Sequence, residues 1–227
     1  MADEIEFCGG PFDLEPQHTM TNWENMEVTG AEYAVVSYLE RILRDSDTLS
    51  SLLHMGIGNG HVYEKLAAHL SAYVGITISQ PELDHFAQRY RNDASVKTCL
   101  ANKHDPRSYD LYRGNFDLIV DVNLKSFACC QLHYNDYIEF IVGCLNPGGK
   151  ILTAQSGVDF GWSNNTARGY TPGMEPNVNL VASRTLGVNG LKALAEHHDL
   201  KVESVPMTTI ERGASVEETV WVLQKGH

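Results

Sequence analysis

The sequence predicts an α/β fold, a parallel, doubly wound sheet with helices on both faces, and three observations predict it. From residue 49 onward, short apolar runs rich in β-branched residues alternate with segments of helical periodicity. One of those runs, Phe116–Val122, is almost wholly apolar, as a strand covered on both faces must be. Directly after the first run comes a glycine-rich turn, Gly56-Ile57-Gly58-Asn59-Gly60, that leads into a helical pattern.

The elements follow in order. The first 28 residues, with Gly9-Gly10-Pro11 and Pro16, lack periodicity and read as an arm or lid preceding a single domain over 29–227. Gly30–Arg44 places Tyr33, Ala34, Val36, Tyr38, Leu39, Ile42 and Leu43 at the spacing of an amphipathic helix. A first strand is expected over Leu49–Met55, then a helix over His61–Leu70 with Leu66, Ala67 and Leu70 on one face. Ala72–Ile78 reads as a second strand, and Pro81 opens a helix that runs to Arg91. Strands are expected at Val96–Leu100 and Phe116–Val122, then a helix at His133–Leu145. The turn Asn146-Pro147-Gly148-Gly149 leads to a fifth strand, Lys150–Ala154. A helix over Val188–His198 and strands over Lys201–Val205 and Glu218–Gln224 close the pattern. Residues 155–185, dense in Gly, Pro and Asn, form an insertion at the carboxyl end of a strand, where open α/β sheets bind ligands.

Composition narrows the function. The 227 residues carry a net charge of -12 with Lys and Arg scattered singly, a surface that repels phosphate backbones, so no nucleic-acid partner is expected. No apolar run approaches a membrane span, and the acidic start Met1-Ala2-Asp3-Glu4 lacks the basic character of a signal peptide, so a cytoplasmic protein with no membrane association is expected. Five cysteines without C-x-x-C spacing, and ten histidines without H-E-x-x-H spacing, point to buried thiols and to no metal.

The glycine turn carries the first functional signal. Alternating glycines let backbone N–H groups approach a ligand and aim a helix N-terminus at it. A dinucleotide fingerprint would need its third glycine at position 61, where the chain has His61. The spacing therefore favours an adenosine-bearing ligand other than NAD.

Four motifs in one order resemble the class I S-adenosylmethionine-dependent methyltransferases: Gly56-Ile57-Gly58-Asn59-Gly60, Val74-Gly75-Ile76-Thr77-Ile78-Ser79, Phe116-Asp117-Leu118-Ile119-Val120, and Leu145-Asn146-Pro147-Gly148-Gly149-Lys150-Ile151-Leu152. The resemblance implies a Rossmann-like seven-stranded sheet whose last strand is antiparallel and inserted between strands five and six. It implies S-adenosylmethionine as cofactor, with Met55, Gly56, Gly58 and Gly60 beneath its methionine part and ribose. Two positions depart from the family pattern. His54 stands where the family has a carboxylate for the cofactor's ammonium, and Thr77 where it has one for the ribose hydroxyls. The resemblance then makes Gln80 the residue that shares the ribose contact, and Asn102, or Asp105 if the alignment slips, the acceptor for the adenine amine. Asp121, ending the fourth strand, would face the methionine moiety and the incoming substrate.

In-line methyl transfer mainly requires alignment, with a base needed where the nucleophile carries a proton. His133, opening the helix after the fourth strand, and His18, in the N-terminal arm, are the candidate bases. Trp23 in the arm and Trp162 and Arg168 in the insertion suit a partly apolar small molecule, with Arg168 or Arg184 able to pair with an anionic group. The expected activity is methyl transfer to an oxygen or nitrogen of a small-molecule acceptor, such as a natural-product or sugar intermediate. Two other readings stay open: aminopropyl transfer, which calls for more carboxylates near the fourth strand, and cofactor binding without turnover. A homodimer is compatible with either.

Overall fold

The computed structural model describes residues 28–44, 46, 48–125, 131–159, 186–211 and 214–226. Helix α1 (Gly30–Arg44) starts at a Thr29 cap, whose Oγ1 accepts the Glu32 amide at 3.2 Å, and buries Ala34, Val35, Tyr38 and Leu39 on one face. The chain then alternates: β1 (Ser50–Met55), α2 (His61–Leu66), β2 (Leu70–Thr77), α3 (Gln80–Tyr90), β3 (Val96–Leu100), α4 (Tyr109–Tyr112), β4 (Phe116–Val120), α5 (Gln131–Gly143) and β5 (Leu145–Ala154). It continues through α6 (Gln155–Val158), α7 (Gly187–His197), β6 (Leu200–Glu211) and β7 (Ala214–Lys225).

The seven strands lie in the order β3-β2-β1-β4-β5-β7-β6. All pairs from β3 to β5 are parallel, and β7 runs antiparallel to both β5 and β6. The inserted, reversed last strand is the one the resemblance implies. Progress along the sheet reverses between β1 and β4, so the crevice at their carboxyl ends is the natural ligand position.

Strand alternation divides the core between the two faces. Leu52, Leu118 and Val120 pack with Leu39, Val62, Leu66 and Phe86 under α1, α2 and α3, whereas Leu53, Met55 and Ile119 pack with Tyr137, Ile141 and Leu191 under α5 and α7. Each fully buried Leu or Ile contributes on the order of 1.5–3 kcal/mol, so both faces are needed to hold the edge of the sheet that carries the site.

The elements differ from sequence expectation mainly at their ends. Helix α2 stops at Leu66, not Leu70, because Leu70 is already paired with Ser50 as the first residue of β2. Strand β5 begins at Leu145, ahead of the Pro-Gly-Gly turn, and the turn is an irregularity inside it: Phe116 pairs with Leu145, but Leu118 with Lys150. A Cβ on Gly149 would come within 3.0 Å of the Phe116 carbonyl, so the excursion needs glycine there. Strands β6 and β7 extend well beyond Lys201–Val205 and Glu218–Gln224, because their far halves pair with each other as a hairpin beyond β5. The insertion expected over 155–185 opens with the helical turn α6; the rest of it, like the arm over 1–27, lies outside the described residues.

Candidate functional site

The glycine turn leaves β1 in the left-handed region at all three glycines, with φ of 82° at Gly56, 51° at Gly58 and 84° at Gly60. Amides of Gly56 and Ile57 both donate to the Ile76 carbonyl, at 2.8 and 3.2 Å, tying the turn to β2. The three glycines do different work. A Cβ at Gly60 would lie 3.1 Å from the Phe86 ring, so this glycine is needed for packing against α3. At Gly56 a Cβ would meet nothing within 4 Å, and at Gly58 only the Gly56 carbonyl at 4.0 Å. The turn is thus closed toward the helices and open on its other side, a backbone cradle that fits a ligand approaching the main chain.

A buried carboxylate supports that cradle. Ser79 caps α3 and accepts the Glu82 amide at 3.4 Å, and Glu82 then turns its side chain toward the end of β2. Thr77 Oγ1 donates to Glu82 Oε2 at 2.5 Å while accepting the Ser79 amide at 3.0 Å, and the Gly58 amide donates to the same carboxylate. Burial pushes the Glu82 carboxyl above its ordinary pKa, and the Thr77 and Gly58 bonds oppose that rise. Sequence reasoning selected Thr77 and Gln80 here and missed Glu82. Gln80 Nε2 instead donates to Asp84 Oδ1 at 2.6 Å along the exposed side of α3. The missed signal was Ser79-x-x-Glu82, the spacing of a capping box.

The chain leaving β3 is pinned by a buried polar network. Asn102 Oδ1 accepts the His104 amide at 2.9 Å, and Asp105 caps the turn Pro106–Ser108 and pairs with Arg107 at 3.0 Å. Between them, Lys103 Nζ reaches both oxygens of Asp121, at 2.9 and 2.7 Å, and the Asn123 carbonyl at 2.7 Å. Tyr137 Oη of α5 donates to Asp121 Oδ2 at 2.6 Å. Asp121 is therefore the buried hub joining the ends of β3 and β4 to α5.

His54 and His133 are both buried, at 2% and 1% exposure. His54 lies on the α1–α3 face with its Nδ1 2.8 Å from Tyr73 Oη, and burial lowers its pKa to about 3, so the ring is neutral. Gly75 makes room for this pair: a Cβ there would sit 2.8 Å from the Tyr73 ring and 2.5 Å from Ile57 Cγ2. His133 stands in the first turn of α5, and Met55 is buried at the end of β1. His18, Trp23, Trp162, Arg168 and Arg184 lie outside the described residues. Among the described residues no three His, Cys, Asp or Glu side chains converge as a metal site, and no helix is long and apolar enough to cross a membrane.

Residues 53–153, from within β1 to the end of β5, match the family model described as "Methyltransferase domain". The chain carries a class I S-adenosylmethionine-dependent methyltransferase domain. Glycine turn, Glu82, Asn102, Lys103, Asp121 and His133 all fall inside the matched stretch of this methyltransferase. No curated protein matches it significantly in sequence. Among solved structures, the N-methyltransferase NodS from Bradyrhizobium japonicum WM9, in complex with S-adenosyl-L-homocysteine, matches with a TM-score of 0.59 at 18% identity, covering 86% of this chain and 88% of that one. The Burkholderia thailandensis 1,6-didemethyltoxoflavin-N1-methyltransferase matches with a TM-score of 0.56 at 16% identity, covering 86% of this chain and 80% of that one. An O-methyltransferase family protein from the same organism matches with a TM-score of 0.54 at 14% identity, covering 85% and 56%. At these identities the likeness is one of fold. Methyltransferases named for nitrogen and for oxygen acceptors share it about equally, so the scaffold does not choose the acceptor atom.

Proposed function

We propose that this methyltransferase moves a methyl group from S-adenosylmethionine to an oxygen or nitrogen of a small-molecule acceptor. The observation that carries the reading is the open cradle of Gly56 and Gly58 above the buried Glu82 carboxylate, at the crevice where the sheet order reverses. Gly56 and Gly58 admit the cofactor's main body, Thr77 and Glu82 offer acceptors for its ribose hydroxyls, and Asn102, whose Oδ1 keeps a second lone pair, accepts from its adenine amine. When bound, S-adenosylmethionine supplies an electrophilic methyl carbon on a sulfonium centre.

The chain's own task is then alignment and, for a hydroxyl or ammonium acceptor, removal of one proton. His133 is the candidate base, with His18 as a second. Trp23, Trp162 and Arg168 would shape the acceptor pocket. Asp121, with Lys103, Tyr137 and the Asn123 amide on its carboxylate, fixes the floor of the site and serves as a positioning residue. The small-molecule acceptor is supported by the net charge of -12 and by the toxoflavin enzyme, whose structure holds 1,6-didemethyltoxoflavin with S-adenosylhomocysteine.

Calorimetric titration with S-adenosylhomocysteine, followed by transfer of labelled methyl to a panel of hydroxyl and amine acceptors, tests the reading. Micromolar binding and labelling of a small acceptor are expected, with His133→Ala lowering kcat by about 100-fold at unchanged cofactor affinity. No binding below millimolar concentration would overturn it.

A further inference from the structure

Tyr134 stands in the first turn of α5, where the helix starts at the carboxyl edge of the sheet before running back to β5. It is 3% exposed, and among the described residues nothing bonds its hydroxyl, which is itself shut off from solvent. Buried polar groups of a folded chain almost always have a partner, because desolvation without one costs free energy. A ligand atom is the partner that this hydroxyl lacks.

The surroundings place it at the site. One turn further along the same helix face, Tyr137 Oη donates to Asp121 at 2.6 Å. The His104 ring, on the chain leaving β3, lies 4.8 Å from the Tyr137 ring and 6.1 Å from that of Tyr134. Lys125, on the chain leaving β4, holds its Nζ 5.3 Å from the centre of the Tyr134 ring. The ring is thus set where these two chains meet, beside the Lys103–Asp121 bridge.

The polarity of this corner selects a ligand group. Asp121 is saturated: Oδ1 accepts from Lys103 and the Asn123 amide, at 2.9 and 3.2 Å, and Oδ2 from Lys103 and Tyr137, at 2.7 and 2.6 Å. A carboxylate offers about four lone-pair sites, so none is left on Asp121 for an incoming ammonium. Lys125 adds a positive charge, and burial raises the Tyr134 pKa above its ordinary value, so the phenol keeps its proton to donate. A proton donor beside a cation is completed by an electron-rich oxygen.

We infer that Tyr134 Oη donates to a carbonyl or carboxylate oxygen of the methyl acceptor, a specificity contact that admits oxygen-bearing acceptors and turns away cationic ones. This deepens the methyltransferase reading and rests on it. It also sets the aminopropyl alternative aside, since a polyamine would bring ammonium groups to a corner whose carboxylate is already taken.

The test uses two sets of matched probes carrying a carboxylate, an amide or an ammonium: 4-hydroxybenzoate, 4-hydroxybenzamide and tyramine, and lactate, lactamide and 1-amino-2-propanol. Binding to the full-length protein saturated with S-adenosylhomocysteine is read by saturation-transfer NMR titration, in wild type and in Tyr134→Phe, which removes the hydroxyl alone. At least one carboxylate or amide probe is expected to bind at millimolar concentration or tighter, and its ammonium counterpart is not. Tyr134→Phe should weaken that binding by about 5-fold or more, with S-adenosylhomocysteine affinity within about 2-fold of wild type and no fall in melting temperature. Binding of the carboxylate alone assigns a charged oxygen, and binding of the amide as well assigns a carbonyl. Ammonium probes that bind equally, oxygen probes unaffected by Tyr134→Phe, a lowered melting temperature in that variant, or a wild-type complex that binds no oxygen probe overturns the assignment and leaves the methyltransferase reading standing. Wild type that fails to bind S-adenosylhomocysteine overturns both.

Discussion

Lys103 Nζ lies 2.7 Å from Asp121 Oδ2, and both side chains are buried. The pair spans the sheet's carboxyl edge from the end of β3 to the end of β4. Burial lowers the Lys103 pKa, with Asp121 opposing it, so the ammonium is held charged by its partner more than by solvent. Breaking one half should cost more than removing both. Asp121→Asn is expected to lose about 3–5 kcal/mol in urea denaturation, and Lys103→Met with Asp121→Leu to lose clearly less. Equal losses would show that the pair is packing filler.

Gly56→Ala separates binding from folding. The new methyl meets no protein atom within 4 Å, so its structural cost is confined to a φ of 82°, about 1–2 kcal/mol. It projects into the cradle, and S-adenosylhomocysteine affinity should fall by 10-fold or more while the folded state survives. Unchanged affinity would place the cofactor elsewhere.

Gly157→Ala should do the reverse. A Cβ there would fall 1.6 Å from the Val122 carbonyl oxygen, backbone that cannot swing aside as a side chain can. Helix α6 is anchored by Ser156 Oγ on Glu218 at 2.5 Å and by Trp221 Nε1 on Gln155 at 2.8 Å, so it cannot simply lift away. A loss of about 3 kcal/mol or more in thermal or urea unfolding is expected, comparable to core overpacking.

How much of this was legible depended on range along the chain. The glycine turn and the alternation of strands and helices rest on local runs and turn signals that survive without tertiary knowledge, whereas the reversed β7 inserted between β5 and β6 was implied by the family resemblance. Glu32 and Glu82 were visible only as the third helical residues after Thr29 and Ser79, because the effect of Glu82 on Glu32 arises only once the fold sets α1 and α3 on the same face of the sheet. Asp121 stood at the right edge of the right strand, yet its partner Lys103 arrives from a different loop, 18 residues away, and no periodicity announces that contact. His54 read as a missing carboxylate; its engagement with Tyr73, a strand away, explains why a neutral ring can sit there.

His54 predicts an acid weakness. Its folded pKa, about 3, lies below the ordinary value of 6.5, so the unfolded chain binds a proton that the folded chain refuses. Stability is therefore fully present above pH 6.5 and is lost as pH falls toward 3, at up to about 1.4 kcal/mol per pH unit. Urea unfolding at pH 7 and pH 4.5 should show that His54→Gln shrinks the wild-type loss by about 2–3 kcal/mol. An unchanged loss would mean that the ring is protonated in the fold.

Glu32 predicts the opposite slope. Burial, with Glu82 adding to it, raises its pKa from 4.5 to about 7, so here the folded chain holds a proton that the unfolded chain releases. Stability is fully present below pH 4.5 and declines as pH rises through 7, by up to about 3 kcal/mol. Glu32→Gln, neutral at every pH, should match the wild type at pH 4.5 and exceed it by about 1–3 kcal/mol at pH 8. A gap that does not open between pH 4.5 and pH 8 would show that the folded chain leaves the Glu32 carboxyl as easily ionised as the unfolded chain does.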